Sequence, residues 1–441
     1  MRIIRCESAG VERVAMWSIG RACVVAGVWA AVVACLGVPS ARQVSAATPW
    51  PAFRGPTGDG VSQERNLPLK WSESQGVAWK TAIPGKAWSS PVIWDRLVWL
   101  TNATEDGRRL SAVAVDVAKG RILHDITVFE IAAPQFCHEF NSYASPTPAI
   151  EPGRLYVHYG SAGTACLDTE TGKTLWSRQD LPCDHFRGPG SSPIIHGDLL
   201  IVAFDGFDLQ YVVALDKHTG ATVWRKDRDI DYGTDDGDAK KAYCTATVIT
   251  VAGREQLILP SAGATIAYDP ATGAELWRVN HGGMNASARP LFAHGLVFIN
   301  TAAGGMKFLA VQPDGSGDVT ASKIAWKSAQ GTGSRSSQLV LGDRLFLVGD
   351  AGTATVLDAA TGTMVWQKRL GGKFSASPIL ADGRVYASNQ DGETYVVTAT
   401  EPYEVVATNR LDEGCMASPA VFDGAIYLRT KTHLYKLHSG D

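Results

Sequence analysis

Two short clusters carry the residue types that metal and thiol chemistry need. Cys137-His138-Glu139 and Cys183-Asp184-His185 each place a thiol, an imidazole and a carboxylate within three positions. Each histidine lies eight residues before a proline, Pro146 or Pro193, and Asp238 holds the same offset before Ala246. Three readings stay open. Cys137 and Cys183 form a disulfide between adjacent loops; the residues are polar loop positions with no role; or His138, His185 and Asp238, with or without a thiolate, hold a metal such as zinc or copper. No CxxC, HExxH, GxSxG, P-loop or dinucleotide-binding fingerprint accompanies them.

A second group suits recognition rather than catalysis. Trp88, Tyr143, Arg187, Tyr243, Arg289 and Arg335 fall in or beside irregular segments that precede short apolar strands. Arginine and large aromatics are common interface anchors. If these positions converge, they form a mouth for a protein segment or a small anionic ligand. Beside them runs a series of hydroxyl residues, whose plainer reading is that they satisfy strand-end backbone groups.

Convergence requires a scaffold, and the chain repeats itself at propeller-blade spacing. Leu167-Asp168-Thr169-Glu170-Thr171-Gly172 … Trp176 returns as Leu215-Asp216 … Gly220 … Trp224, as Tyr268-Asp269 … Gly273 … Trp277 and as Leu357-Asp358 … Gly362 … Trp366. Degenerate copies end at Leu123, Trp326 and Val406. The Asp accepts turn amides, the Gly takes a left-handed conformation, and the Trp supplies a flat surface between neighbouring sheets.

The other half of each unit opens a strand, at Ser90-Pro91, Ser145-Pro146, Ser192-Pro193, Thr245-Ala246, Arg289-Pro290, Ser337-Gln338, Ser377-Pro378 and Ser418-Pro419. Eight openings predict an all-β, eight-bladed β-propeller of four-stranded antiparallel blades. The last unit lacks its Trp strand, and Val77-Ala78-Trp79-Lys80 is a spare copy, so this N-terminal strand is expected to close the ring. Forty-five glycines and thirteen tryptophans fit such a chain of turns and packed aromatics.

The Asp-x-x-Thr-Gly-x-x-x-Trp unit resembles the PQQ-like repeat shared by quinoprotein dehydrogenases and the BamB family of outer-membrane assembly lipoproteins. The resemblance covers residues 77–441. Trp50-Pro51-Ala52-Phe53-Arg54-Gly55-Pro56 is similar to the start of secreted, planctomycete-type propellers of this kind. For the enzymes, the resemblance implies PQQ, a disulfide between adjacent cysteines, calcium held by Glu, Asn and Asp, and an Asp base. This chain has no Cys-Cys pair. The favoured expectation is therefore a non-enzymatic binding or assembly scaffold with no assigned cofactor. The alternative is a quinoprotein-type oxidoreductase or metal-dependent enzyme at the channel mouth, using PQQ or a metal ion.

Residues 1–47 read as an export signal: Arg2, Arg5, Arg13 and Arg21, then an apolar run and a small-residue site near Ala46. Val32-Val33-Ala34-Cys35 has the form of a lipobox, which makes Cys35 a possible lipid anchor. The folded part is expected outside the cytoplasm, with residues 48–76 as an extension before the propeller. A net charge of −3 gives no reason to expect nucleic acid as partner.

Overall fold

The computed structural model describes residues 47–331 and 333–439. Eight antiparallel sheets follow one another along the chain, each of four strands, with one short parallel addition. Blade one comprises Val92–Trp94, Leu97–Ala103, Arg109–Asp116 and Ile122–Glu130. Blades two to seven repeat that order, beginning at Ala149, Ile194, Thr247, Leu291, Leu339 and Ile379. Blade eight takes Ala420–Phe422, Ala425–Arg429 and His433–His438 from the end of the chain. Its fourth strand is Val77–Ala82, which pairs antiparallel with His433–His438 from Val77↔Leu437 to Ala82↔His433. The ring closes with the expected strand, which covers the outer edge that His433–His438 would otherwise expose.

The middle strands are buried on both faces, as Leu97–Ala103 is at every position, whereas the outer Ile122–Glu130 is largely exposed. Stacked sheets account for this, because each blade buries both faces of its centre against its neighbours. The turn motif supplies the lock between blades. Asp216 Oδ1 accepts from the amides of His218 and Thr219 and from the Thr219 hydroxyl. This holds Gly220 at φ +76°. The ring of Trp176, from the preceding blade, lies on that glycine, and its Nε1 donates to Lys217 O at 2.9 Å. Trp224 repeats the arrangement on Gly273 and Pro270 O, Trp326 on Gly362 and Ala359 O, and Trp79 on Gly120 and Val117 O.

Two degenerate repeats are displaced by one residue from the sequence reading. His124, not Leu123, pairs with Ala114 where Trp176 pairs with Cys166. Ala407, not Val406, pairs with Val396. Leu123 and Val406 face outward, since one step along a strand changes the face. Trp366 is also less buried than its motif suggests, and blade seven meets it with Tyr403 rather than with an Asp-Thr-Gly turn.

The segment before the closing strand is more than an extension. Trp50 pairs with Ile93 in blade one, Pro51 O accepts from Ile150 N in blade two, and Val61 pairs with Leu380 in blade seven. Arg54 reaches Pro378 O and Gln338 O at 3.0 and 2.8 Å, contacting blades seven and six. With Arg289 at the opening of blade five donating to Phe53 O, residues 50–61 lie against the inner ends of five blades and plug the channel. Among the described residues no helix is long and apolar enough to cross a membrane. The export segment and Cys35 lie outside the described residues.

Candidate functional site

The strand openings form a hydrogen-bonded ring around the channel. Ser90 N donates to Thr147 Oγ1, Thr147 N to Ser192 Oγ, and Ser192 N to Thr245 Oγ1, at 2.9 to 3.0 Å. Arg289 N, Ser337 N, Ser377 N and Ser418 N continue it to the hydroxyls of Ser337, Ser377, Ser418 and Ser90. In blade two the member is Thr147, so the opening is Thr147-Pro148 and the sequence register was two residues early. The break falls between blades four and five, where Arg289 has no hydroxyl. Its guanidinium turns inward instead, with Nε donating to Thr247 Oγ1 and Nη1 to Phe53 O at 2.7 Å.

Above this ring the loop face opens into a cavity of about 600 Å³. Trp88, Arg187, Tyr243, Arg335 and His138 line it, together with six of the ring hydroxyls. Tyr143 does not, and this corrects the expectation. The two-residue slip puts Ser145 at the lining position and turns Tyr143 over Gly107, where its hydroxyl donates to Gln135 O. Tyr143 and His185 instead border a separate cavity of about 230 Å³. Arg289 lies below the large cavity.

The cation positions are defined by their partners. Arg187 makes a two-pronged pair with Asp238, Nε to Oδ1 at 2.9 Å and Nη2 to Oδ2 at 2.5 Å. Arg335 lies 4.6 Å over the Phe140 ring, with its nearest carboxylate, Asp350, at 3.9 Å. Lys241 is buried behind the wall, donating to Tyr243 Oη at 2.6 Å. Burial pulls its ammonium down to about 8, against the opposing pull of Asp238. Glu139 of the first cluster also lines the cavity, as do Phe53, Phe140 and Asn141, which the sequence did not single out as site residues. Phe53 and Phe140 lie outside the repeat, so no periodicity announces them.

The metal and disulfide expectations fail on geometry. His138 opens onto the large cavity and His185 onto the small one. His185 Nε2 accepts from Ser161 N at 3.0 Å, and burial lowers its pKa to about 4. Asp238 is committed to Arg187. Among the described residues no group of three or more His, Cys, Asp or Glu could hold a metal ion. Cys137 and Cys183 are both free thiols. Cys137 Sγ rests 3.7 Å from Arg187 O, and Cys183 Sγ lies 3.7 Å from Leu209 O and 3.9 Å from His185 Nδ1. The register slip explains this: His138 is ten residues before Pro148, while His185 is eight before Pro193.

The profile of the family described as outer membrane protein assembly factor BamB matches residues 127–210 and 208–439. The chain belongs to this BamB family. Among solved structures it is similar to BamB from Moraxella catarrhalis, with a TM-score of 0.57 at 14% identity, covering 82% of this chain and 99% of that one. A europium-containing methanol dehydrogenase gives a TM-score of 0.59 at 12% identity, covering 87% and 90%. Likeness at that identity establishes the fold alone. Among curated proteins, the quinoprotein ethanol dehydrogenase of Pseudomonas aeruginosa is 32% identical over 139 residues, 29% of this chain and 21% of that protein. The tetrathionate hydrolase of Acidithiobacillus ferrooxidans is 23% identical over 253 residues, 55% of this chain and 49% of that protein. The chain thus matches between a fifth and a half of these relatives' lengths.

The cavity of this BamB-family propeller does not fit a quinone–calcium centre. Calcium takes six to eight oxygen ligands, with carboxylates foremost. Glu139 is the single carboxylate among the lining residues. Asn141 is spent: its Nδ2 donates to Arg187 O and Pro189 O, and its Oδ1 accepts from Ser145. Glu139 and Asn285, whose Oδ1 is unpaired, are too few for such a shell, and hydroxyl and guanidinium donors outnumber them.

Proposed function

We propose that this propeller is an extracytoplasmic binding module that accepts an acidic peptide segment or small anionic ligand on its loop face and catalyses no reaction. The observation that carries this reading is how the ring hydroxyls are used. Each Oγ already accepts a neighbouring blade's backbone N–H, so the hydroxyl proton remains available to donate. Ser90, Thr147, Ser192, Thr245, Ser377 and Ser418 direct this capacity at one cavity, with Arg187 and Arg335 on its wall and Trp88, Phe140 and Tyr243 as apolar surface. A ligand rich in acceptors satisfies such a wall. The plug beneath leaves the loop face as the entrance.

The test compares a fluorescent Asp/Glu-rich peptide with a free carboxyl terminus against its amidated Lys-rich counterpart. Charge-assisted hydrogen bonds are worth ~1.5–3 kcal/mol, so Arg187→Ala with Arg335→Ala should weaken acidic-peptide binding at least about tenfold per arginine. Equal binding of both peptides, or no change in the double variant, defeats the proposal. The 32% identity to a quinoprotein dehydrogenase segment motivates a second arm. Purified protein given PQQ and calcium should show no quinone absorbance that survives desalting and no alcohol-dependent dye reduction.

A further inference from the structure

Beneath the cavity floor, two buried arginines face the same three-residue loop without a carboxylate partner. Arg54 is 1% exposed and Arg289 is 7% exposed. A Cβ on Gly58 would fall 2.4 Å from Arg289 Nη1, and one on Gly60 would fall 2.5 Å from Arg54 Nη2. The glycines let the guanidiniums settle directly on the Gly58–Gly60 backbone. Asp59, between them, attracts both guanidiniums but bonds to neither through its carboxylate, whose Oδ1 accepts from Thr57 Oγ1 and Val61 N at 2.6 and 2.9 Å. The remaining acceptors are neutral: Pro378 O, Gln338 O and Asp59 O for Arg54, and Thr247 Oγ1 and Phe53 O for Arg289.

Other buried arginines are met in two ways: Arg429, 2% exposed, has only the neutral acceptors Ser89 Oγ, Thr101 O and Asn102 Oδ1, while Arg228 has a carboxylate. Buried Arg228 meets Asp205 through two bonds at 2.9 and 2.7 Å. At the channel base no carboxylate among the described residues bonds either guanidinium, and donors are left over. Arg54 Nε is buried without a hydrogen-bond partner. Arg289 uses Nε and Nη1, leaving Nη2 unspent among the described residues. Two desolvated cations against one offset carboxylate leave net positive charge in a low-dielectric site, which is costly unless a counter-charge enters. A fixed fork of N–H donors is the geometry that receives one.

We propose that the base of the channel binds one small monovalent anion, of chloride size, between Arg54 and Arg289. The site lies below Phe53 and is independent of the loop-face ligand. Its test is thermal melting of the full chain in sodium chloride, sodium bromide and sodium gluconate at matched ionic strength, gluconate serving as the bulky organic control for an anion of chloride size. Chloride and bromide should give a saturable rise that gluconate does not, and Arg289→Gln should abolish it. The Arg187→Ala/Arg335→Ala protein should retain it. Should Arg289→Gln fail to fold, a bromide-grown crystal of the native chain decides: one anomalous peak within hydrogen-bonding reach of both guanidiniums is expected. Water at that position, or melting that follows ionic strength alone in all three salts, overturns the proposal.

Discussion

Trp224 and Trp366 occupy the same position of the same repeat, and the structure assigns them different weights. Trp224 is 9% exposed, its ring covers Gly273, and its Nε1 donates to Pro270 O at 3.0 Å. Truncating a buried aromatic to alanine costs ~3–5 kcal/mol through lost transfer energy and the cavity left behind. Pro270 is buried, so leaving its carbonyl unpaired adds about 1–3 kcal/mol. Trp366 is only half-buried and meets Tyr403 at a 5.8 Å centroid separation. It has less area to lose and no clamped turn, so its truncation should cost about 1–2 kcal/mol. Urea denaturation of Trp224→Ala and Trp366→Ala reads the difference as two midpoint shifts at unchanged slope. The slope matters, since a change in it would signal that blades unfold separately. Equal shifts for the two variants would refute the idea that the interblade clamp, rather than the tryptophan itself, carries the stability.

Other consequences are as direct. Gln256 relays the clamp across the irregular junction of blades four and five, accepting from Trp277 Nε1 at 2.7 Å and donating to Pro313 O at 2.9 Å. Gln256→Leu strands both groups and should cost about 2 kcal/mol in the same urea assay; a neutral effect removes the relay. A chain starting at Pro84 loses the plug and the closing strand, exposing His433–His438 as a free edge, and should aggregate. If it instead remains monomeric by light scattering with the native midpoint, closure is not what holds the ring. Burial lowers His158 to about 3 and His185 and His281 to about 4. Unfolded histidine titrates near 6.5, so below that pH the unfolded chain binds protons the native chain refuses. Stability should be full above about pH 6.5 and fall towards pH 4, by about 2 kcal/mol per histidine at pH 5. Urea midpoints at pH 7 and pH 5 test this, and His185→Gln should shallow the fall; an unchanged midpoint contradicts it.

Blade number, turn chemistry and the closing strand could be read from the sequence because each is local or periodic. The Asp-Thr-Gly turn and its tryptophan lie within ten residues, and the unpaired Trp strand at Val77–Lys80 is visible by subtraction. The misread positions are those where two registers satisfy the same rule. Ser145-Pro146-Thr147-Pro148 offers two hydroxyl–proline openings, and only the bond from Ser90 N to Thr147 Oγ1 selects the second. That choice moved Tyr143 from one cavity to another and separated His138 from His185. The plug was hidden for another reason. Trp50, Arg54 and Val61 are held largely by main-chain carbonyls and amides of distant blades, which leave no complementary side-chain pattern to detect. Arg187 and Asp238 were each singled out, but nothing in their separation of 51 positions pairs them.

The ring hydroxyls serve two ends with one atom, and this decides how the site can be probed. Their oxygens close the interblade hydrogen bonds, so replacing Ser192 with alanine removes the acceptor of Thr147 N as well as a donor to the cavity. Any loss of binding would then be inseparable from a loosened ring, because a buried backbone amide left unpaired is itself destabilising. The side chains of Arg187 and Arg335 hold no ring amide: Arg335 rests on Phe140 at the rim, and truncating Arg187 frees Asp238 but leaves the interblade ring intact. The sequence reading gave the hydroxyls a structural role and the arginines a recognition role as competing accounts of one face. In the folded ring the hydroxyl oxygens fill the structural role, and under the proposed function their protons are what remains for a ligand beside the arginines.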